Sequence, residues 1–303
     1  MNSLIASRTE CLIPSKLKSS SELVDKNDVF VFDCDGVIWK GETLIPGAAQ
    51  ALEKLRANGK SLFFITNNST KSREGFRSKF IRLGLNVHID EIFSSSFAAA
   101  LYLQQNPLPP HKNKVYVVGQ EGIEQELDLV GISHFGGPND AGKTVNVGDP
   151  NAKIEIESNV GAVVVGLDTT INYYKIQYAQ LCINSGSLFI ATNMDQTGHL
   201  TRHQEWAGGG AMVGALKGCT GQDPILCGKP SSLLIDYVVD RYGFRRDRIC
   251  MVGDRLDTDV LFGCQNGLRT LLVLSGVTDE AKLFSDDNDI HPDFFCDSIA
   301  DLI

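Results

Sequence analysis

Apolar residues along this chain fall into short runs, and the runs alternate with stretches of helical spacing. Val29–Phe32 is apolar at every position, as is most of Ser61–Ile65, so both read as strands buried on two faces rather than one. Lys114–Val118, Gly161–Gly166, Ser187–Ala191, Pro224–Cys227 and Ile249–Val252 repeat the pattern. Between them, Ala48–Asn58 carries apolar residues at 48, 52 and 55 and ends at Gly59, a helix with a glycine C-cap. Ser72–Leu83, an Ala-rich stretch ending before Pro107, and Tyr173–Asn184 read as further helices. For the first of these, the polar run before it offers Ser69 or Thr70 as an N-cap. Strands alternating with helices predict an α/β protein with parallel sheets.

Pro107-Leu108-Pro109-Pro110 interrupts the alternation and is the expected linker out of a first unit. The reading is a core built from 25–107 and 222–303, a separate small α/β unit at 108–221, and a flexible tail at 1–24. A length of 303 residues suits about two domains. A net charge of −9 argues against a general nucleic-acid binder and against attraction to anionic membranes. The apolar runs are too short to span a bilayer. Eight cysteines without a Cys-x-x-Cys pair signal neither a zinc site nor a disulfide framework. The Ser-rich, acid-poor start suits a transit segment and a frayed cytoplasmic tail equally; the cytoplasm is the expected location, with the chloroplast as the alternative.

Chemistry enters at the carboxyl ends of the strands, where open α/β sheets bind ligands. Asp33 and Asp35 follow the Val29–Phe32 run, point the same way and flank Cys34, which turns into the core. Two carboxylates so close need a cation or a shared proton. On this stretch alone, turn chemistry explains Asp-x-Asp-Gly as well as function does; an EF-hand loop does not fit, because Gly36 comes too early. Thr66-Asn67-Asn68 ends the second strand, Lys229 follows Pro224–Cys227, and Gly253-Asp254 with Asp259 follows the Ile249 strand. Each alone is a polar turn; together they place polar groups at four strand ends. Gly137–Thr144 matches the Walker pattern letter by letter, but the β-branched residues and Pro150 that follow argue against the helix such a loop requires, so a surface loop is expected. Gly208-Gly209-Gly210 reads as a hinge that also lets the loop Asp195–Trp206 approach a ligand.

In this order, Asp33-x-Asp35-Gly36, Thr66-Asn67-Asn68, Lys229 and Gly253-Asp254 with Asp259 resemble the four motifs of the haloacid dehalogenase superfamily of phosphohydrolases. The insert between the second and third motifs is similar to the type-two α/β cap of the para-nitrophenylphosphatase branch. Similarity to plant and algal phosphoglycolate phosphatases runs over nearly everything after residue 25. Departures lie in the loop 136–157 and in the cap loop, where Met194 stands in place of an expected arginine and Arg202-His203 in place of an acidic and a small residue.

The resemblance implies a Rossmann-like doubly wound parallel sheet with an inserted α/β cap, and a Mg²⁺-dependent phosphomonoester hydrolase acting on 2-phosphoglycolate. Asp33 would be the nucleophile and Asp35 the acid–base, with Mg²⁺ on Asp33, the Asp35 carbonyl and Asp254. Thr66, Asn67, Asn68 and Lys229 would bind phosphate, and Asp259 would orient Lys229 or metal-bound water. His199, Arg202 and His203 form a cationic cluster that could read the substrate's carboxylate, although loop charges are more often simply solvated. The partner implied is a small phosphomonoester, with a homodimer through the cap left open. A phosphatase for pyridoxal phosphate or for small phosphomonoesters broadly is the alternative. A phospho-acceptor signalling domain is disfavoured, because it needs neither Asp35 nor a cap.

Overall fold

Val29–Phe32 runs down the middle of a seven-stranded sheet in the computed structural model, which describes residues 13–198, 201 and 203–303. Edge to edge the order is Ser15–Lys16, Phe294–Cys296, Arg269–Val273, Ile249–Gly253, Val29–Phe32, Ser61–Thr66 and Ile92–Ser94, every neighbouring pair parallel. The unbroken apolar run is explained by what lies on each face. Phe30 and Phe32 pack with Leu52 and Leu55 of the helix Ala48–Ala57 and with Phe76 and Phe80 of the helix Arg73–Arg82. Val29 and Val31 pack on the other side with Leu234, Ile235 and Val238 of the helix Leu233–Tyr242. Helices cover both faces, so the sheet is doubly wound as expected.

A second, five-stranded parallel sheet has the order Ile225–Leu226, Leu188–Ala191, Val160–Val165, Lys114–Val118, Ser133–Gly136. It corrects one assignment. Ile225–Leu226, read as a core strand, hydrogen-bonds instead beside Ile190 and Ala191 of the inserted unit. Its composition suits either sheet; pairing begins before the returning chain reaches the core, and nothing local encodes that choice. The helix Glu121–Leu129 and the edge strand Ser133–Gly136 escaped the periodicity reading.

The flexible tail is also corrected, for the part described. Ser15 and Lys16 pair with Phe294 and Phe295 at the sheet edge, and Leu23 and Val24 are buried. Two residues of backbone pairing, together with Leu17, Leu23 and Val24 packed on the core, dock the segment. Helix Arg73–Arg82 is capped by Ser72, whose Oγ accepts from the Gly75 N–H, and not by Ser69 or Thr70. Ser69 is instead fully buried, accepting from the Leu167 N–H of the inserted unit at 3.3 Å. No helix begins at Thr144. The loop is less superficial than expected: Asp140 is buried, accepts from the Tyr116 hydroxyl at 2.9 Å and pairs with Lys143 at 2.8 Å, so Lys143 is held by its own chain. Among the described residues, no helix is long and apolar enough to cross a membrane.

Phe30 is fully buried at the end of the central strand remote from Asp33 and stacks on Phe32 at 6.2 Å. Phe30→Ala is expected to cost about 3–5 kcal/mol by denaturant unfolding, from lost burial plus a cavity, while leaving turnover of the folded fraction near wild type.

Candidate active site

The chain turns sharply once it leaves the central strand, and that turn builds the site. The Asp33 N–H still donates to the Val252 carbonyl at 2.9 Å, the last ladder bond, and its carboxylate stands at the carboxyl edge of the sheet. Cys34 turns the other way into the core, fully buried, and burial pushes its thiol well above the usual range, so it is an inert packing group. Gly36 closes the turn at φ +86°, and a Cβ there would lie 2.4 Å from Asp254 Oδ2. Both the conformation and the approach require glycine. The hairpin of Trp39–Lys40 with Thr43–Leu44 follows, and the Trp39 Nε1–H donates to Asp35 Oδ1 at 2.9 Å. Trp39 is fully buried, edge-on to Phe80, with the Lys79 ammonium 4.2 Å from its ring centre.

Lys229 arrives from the other side. Its Nζ donates to Asp33 Oδ1 at 2.5 Å and to Asp259 Oδ1 at 2.6 Å, with all three residues buried. Burial alone would lower the ammonium pKa, but the two carboxylates outweigh it and hold Lys229 charged, well above its usual value. Asp259 Oδ2 accepts from the N–H groups of Asp254 and Arg255, each at 3.1 Å, so both its oxygens are used in fixing Lys229 and the Gly253-Asp254 turn. Asp254 differs. Its Oδ2 accepts from the Val277 N–H at 2.7 Å, whereas Oδ1 is buried without a hydrogen-bond partner. Burial, then the neighbouring Asp259, raises its carboxyl to about 7. Asp33 is likewise raised, by burial against the opposing pull of Lys229, with Asp259 and Asp254 adding to the rise.

These observations test whether a cation fits. Asp33, Asp254 and Asp259 bring one carboxylate oxygen each within 4.8 Å of one another, the acidic cluster of this kind among the described residues. Three buried carboxylates share one ammonium, and a divalent ion would balance the charge. With Asp259 engaged elsewhere, Asp33 and the orphaned Asp254 Oδ1 are the groups left to hold it. The donor set is all oxygen, which suits a hard cation.

A cavity of about 110 Å³ opens over these groups, room for several waters. Asp33, Asp35, Thr66, Asn67, Asn68, Lys229 and Asp254, all expected from the sequence, line it. Asp259 lies behind Lys229. Thr66 Oγ1 accepts from the Asn68 N–H at 3.1 Å, and Asn68 Oδ1 accepts from Thr70, so this loop is shaped by its own side chains. Of the cap-loop cluster, His199 and Arg202 lie outside the described residues, and His203 is exposed.

Sequence reasoning missed Trp39, Asp195 and Arg255. Arg255 is raised above its usual value, because Asp257, Asp195 and Asp259 outweigh its burial, and its Nη1 donates to the Thr197 carbonyl at 3.2 Å. Asp195 belongs to the loop expected near a ligand. The three glycines that follow serve contact with that loop: a Cβ at Gly208 would lie 2.2 Å from the Asp195 carbonyl oxygen. Thr192-Asn193-x-Asp195 directly after the strand Leu188–Ala191 was a usable signal, since it again puts polar groups at a strand's carboxyl end.

Fold and site together define a doubly wound α/β protein with a carboxylate-and-lysine centre beneath a second α/β unit. The chain belongs to the haloacid dehalogenase-like hydrolases: that family's model matches residues 30–133, and a second, HAD-hydrolase-like model matches 226–302. It is 54% identical over 290 residues to phosphoglycolate phosphatase 1A, chloroplastic, of Arabidopsis thaliana, covering 95% of this chain and 80% of that one. Phosphoglycolate phosphatase 2 of the same plant is 51% identical, covering 96% of this chain and 98% of the relative. The solved glycerol phosphate phosphatase of Mycobacterium tuberculosis in complex with magnesium superposes with a TM-score of 0.76 at 28% identity, over 92% of this chain and 78% of the other.

Two outcomes follow from the geometry. Trp39→Phe keeps an aromatic ring in place but removes the donor to Asp35; kcat is expected to fall about tenfold with little change in KM, measured on any hydrolysed ester. Asp254 is raised to about 7 in the folded protein, so unfolding releases a proton across a window from about 4 to 7. Its contribution is therefore present at low pH and lost as pH rises through that window. Without divalent ions, Asp254→Asn is expected to raise the Tm at pH 8 and to leave it little changed at pH 4. The same substitution should abolish the Tm gain that added Mg²⁺ gives the native protein.

Proposed function

We propose that this protein is a Mg²⁺-dependent phosphatase that hydrolyses 2-phosphoglycolate to glycolate and inorganic phosphate through an aspartyl-phosphate on Asp33. The observation that carries the chemistry is the Asp33 carboxylate, aimed into the cavity and held at 2.5 Å by a buried lysine, beside a carboxylate with an orphaned oxygen. The substrate assignment rests on the 54% identity to a phosphoglycolate phosphatase.

Asp33 Oδ attacks phosphorus, and the bond from phosphorus to the glycolate oxygen breaks. Asp35, held by Trp39, gives its proton to that leaving oxygen. Asp35, now a carboxylate, takes a proton from water as the water attacks the phosphorus of the acyl phosphate; phosphate leaves and the Asp33 carboxylate is restored. Lys229 and the Thr66 hydroxyl offset charge on the phosphoryl oxygens, and Asp259 keeps the ammonium in place. Asp33, Asp254 and the Asp35 main-chain carbonyl would hold Mg²⁺, which would supply the positive charge that lets an anionic nucleophile approach an anionic ester. The inserted unit covers the reacting groups and limits bulk water.

Initial rates on 2-phosphoglycolate, glycerol 3-phosphate, pyridoxal phosphate and 4-nitrophenyl phosphate with Mg²⁺ test the assignment. 2-Phosphoglycolate is expected to give the highest kcat/KM; a higher value for another ester would reassign the substrate. Asp33→Asn is expected to abolish turnover on all four, since an amide cannot serve as the nucleophile, and residual activity near wild type would exclude the covalent route.

A further inference from the structure

The Asn67 side chain is fully committed within the protein. Its Oδ1 accepts from the Lys229 main-chain N–H at 2.8 Å, and its Nδ2 donates to the Lys229 carbonyl at 3.2 Å and to Asp195 Oδ1 at 2.9 Å. One donor faces the amide oxygen and two acceptors face the amide nitrogen, so the partners fix its orientation and use both protons. A side chain expected on phosphate therefore holds the main chain of the lysine on one side and the inserted unit on the other.

The surroundings tighten this junction. The Asn67 carbonyl accepts from Ser95 Oγ at 2.5 Å and from Asn193 Nδ2 at 2.7 Å, and Asn193 Oδ1 accepts from the Asp195 N–H at 3.1 Å. The Gly228 N–H donates to the Thr192 carbonyl at 2.8 Å. A Cβ on Gly228 would lie 2.7 Å from Asn67 Oδ1, so no larger residue fits before Lys229. Asp195 is half-buried, and it borders the cavity.

We infer that Asn67 and Asp195 are a positioning pair: Asp195 of the inserted unit holds the Asn67 amide, which in turn fixes the Lys229 main chain so that its ammonium reaches Asp33 and Asp259 together. The inference rests on the phosphatase reading in taking Lys229 as catalytic. A lysine has a long flexible stem, and placing its tip on two carboxylates at once depends on where the main chain is anchored. Docking of the loop Thr192–Asp195 against the core thereby becomes a condition for a competent centre, not merely a cover over it. The rival role for Asp195 is direct contact with the substrate's alcohol portion.

The two roles separate by a swap of hydrogen-bonding partners, with the full chain, saturating Mg²⁺, and both 4-nitrophenyl phosphate and 2-phosphoglycolate. Asn67→Asp sets two carboxylates against each other, and kcat is expected to fall about 100-fold by the same factor on both esters, with KM within about twofold. Asp195→Asn keeps an acceptor for Asn67 and is expected to lower kcat about threefold. In the double variant the amide introduced at 195 can donate to the carboxylate introduced at 67, so at least about tenfold of the loss should return. No recovery, or losses that differ more than about fivefold between the esters, would overturn the pair. If Asn67→Asp does not fold, Asp195→Ala decides: an equal fractional loss of kcat on both esters supports the pair, and a raised KM at unchanged kcat overturns it. A native protein inactive on both esters refutes the phosphatase reading, and this inference with it, whereas an active native protein without rescue refutes the pair alone.

Discussion

Lys229 carries one positive charge between Asp33 and Asp259, with Asp254 close behind, and all four are buried. One cation among three carboxylates would be solvated and screened in water, but a protein interior penalises the arrangement heavily. The rest of the site follows from tolerating that deficit. Main-chain N–H groups of Asp254, Arg255 and Val277 are turned onto carboxylate oxygens, and Gly36 and Gly276 stand where a Cβ would collide with the Asp254 carboxylate. Asp254 Oδ1, near Asp33, stays buried without a hydrogen-bond partner.

Placing these charges requires a rigid frame, which the parallel sheet supplies. The central strand ends just before Asp33, and its neighbour Ile249–Gly253 ends just before Asp254. Their fixed register sets the separation of the two carboxylates. The strand on the other side, Ser61–Thr66, brings Thr66 and Asn67 to the same edge. Lys229 is the exception: it follows Ile225–Leu226, a strand of the inserted sheet, so the group that neutralises the core carboxylates is delivered by the unit that covers them. Chemistry and cover are thereby linked in the backbone itself.

The seam between the two units combines an apolar cluster, in which Val117, Ile123 and Leu127 of the inserted unit pack with Phe97 and Leu101 of the core, with a set of paired polar groups. Ser69 meets Leu167, Asn193 meets Asn67, and Arg73 is held by the buried Glu126 at 3.1 Å. Burying polar groups in this way costs stability relative to an apolar seam but fixes one orientation, since each mismatch would leave an unpaired group. That suits a joint that holds the Lys229 main chain through Asn67.

Much of this was legible in the chain before any coordinates. Unbroken apolar runs such as Val29–Phe32 identified strands buried on both faces, because no polar residue can face water there. The carboxylates, hydroxyls and lysine at the strand ends identified the candidate site, because parallel strands all present their carboxyl ends at one edge. The tertiary structure alone decided which sheet received Ile225–Leu226, whether Ser15–Lys16 docked, and what Asn67 holds. Two-residue strands carry too little pattern to name their partner, and an amide chooses among acceptors only once distant segments have been brought within about 3 Å of it.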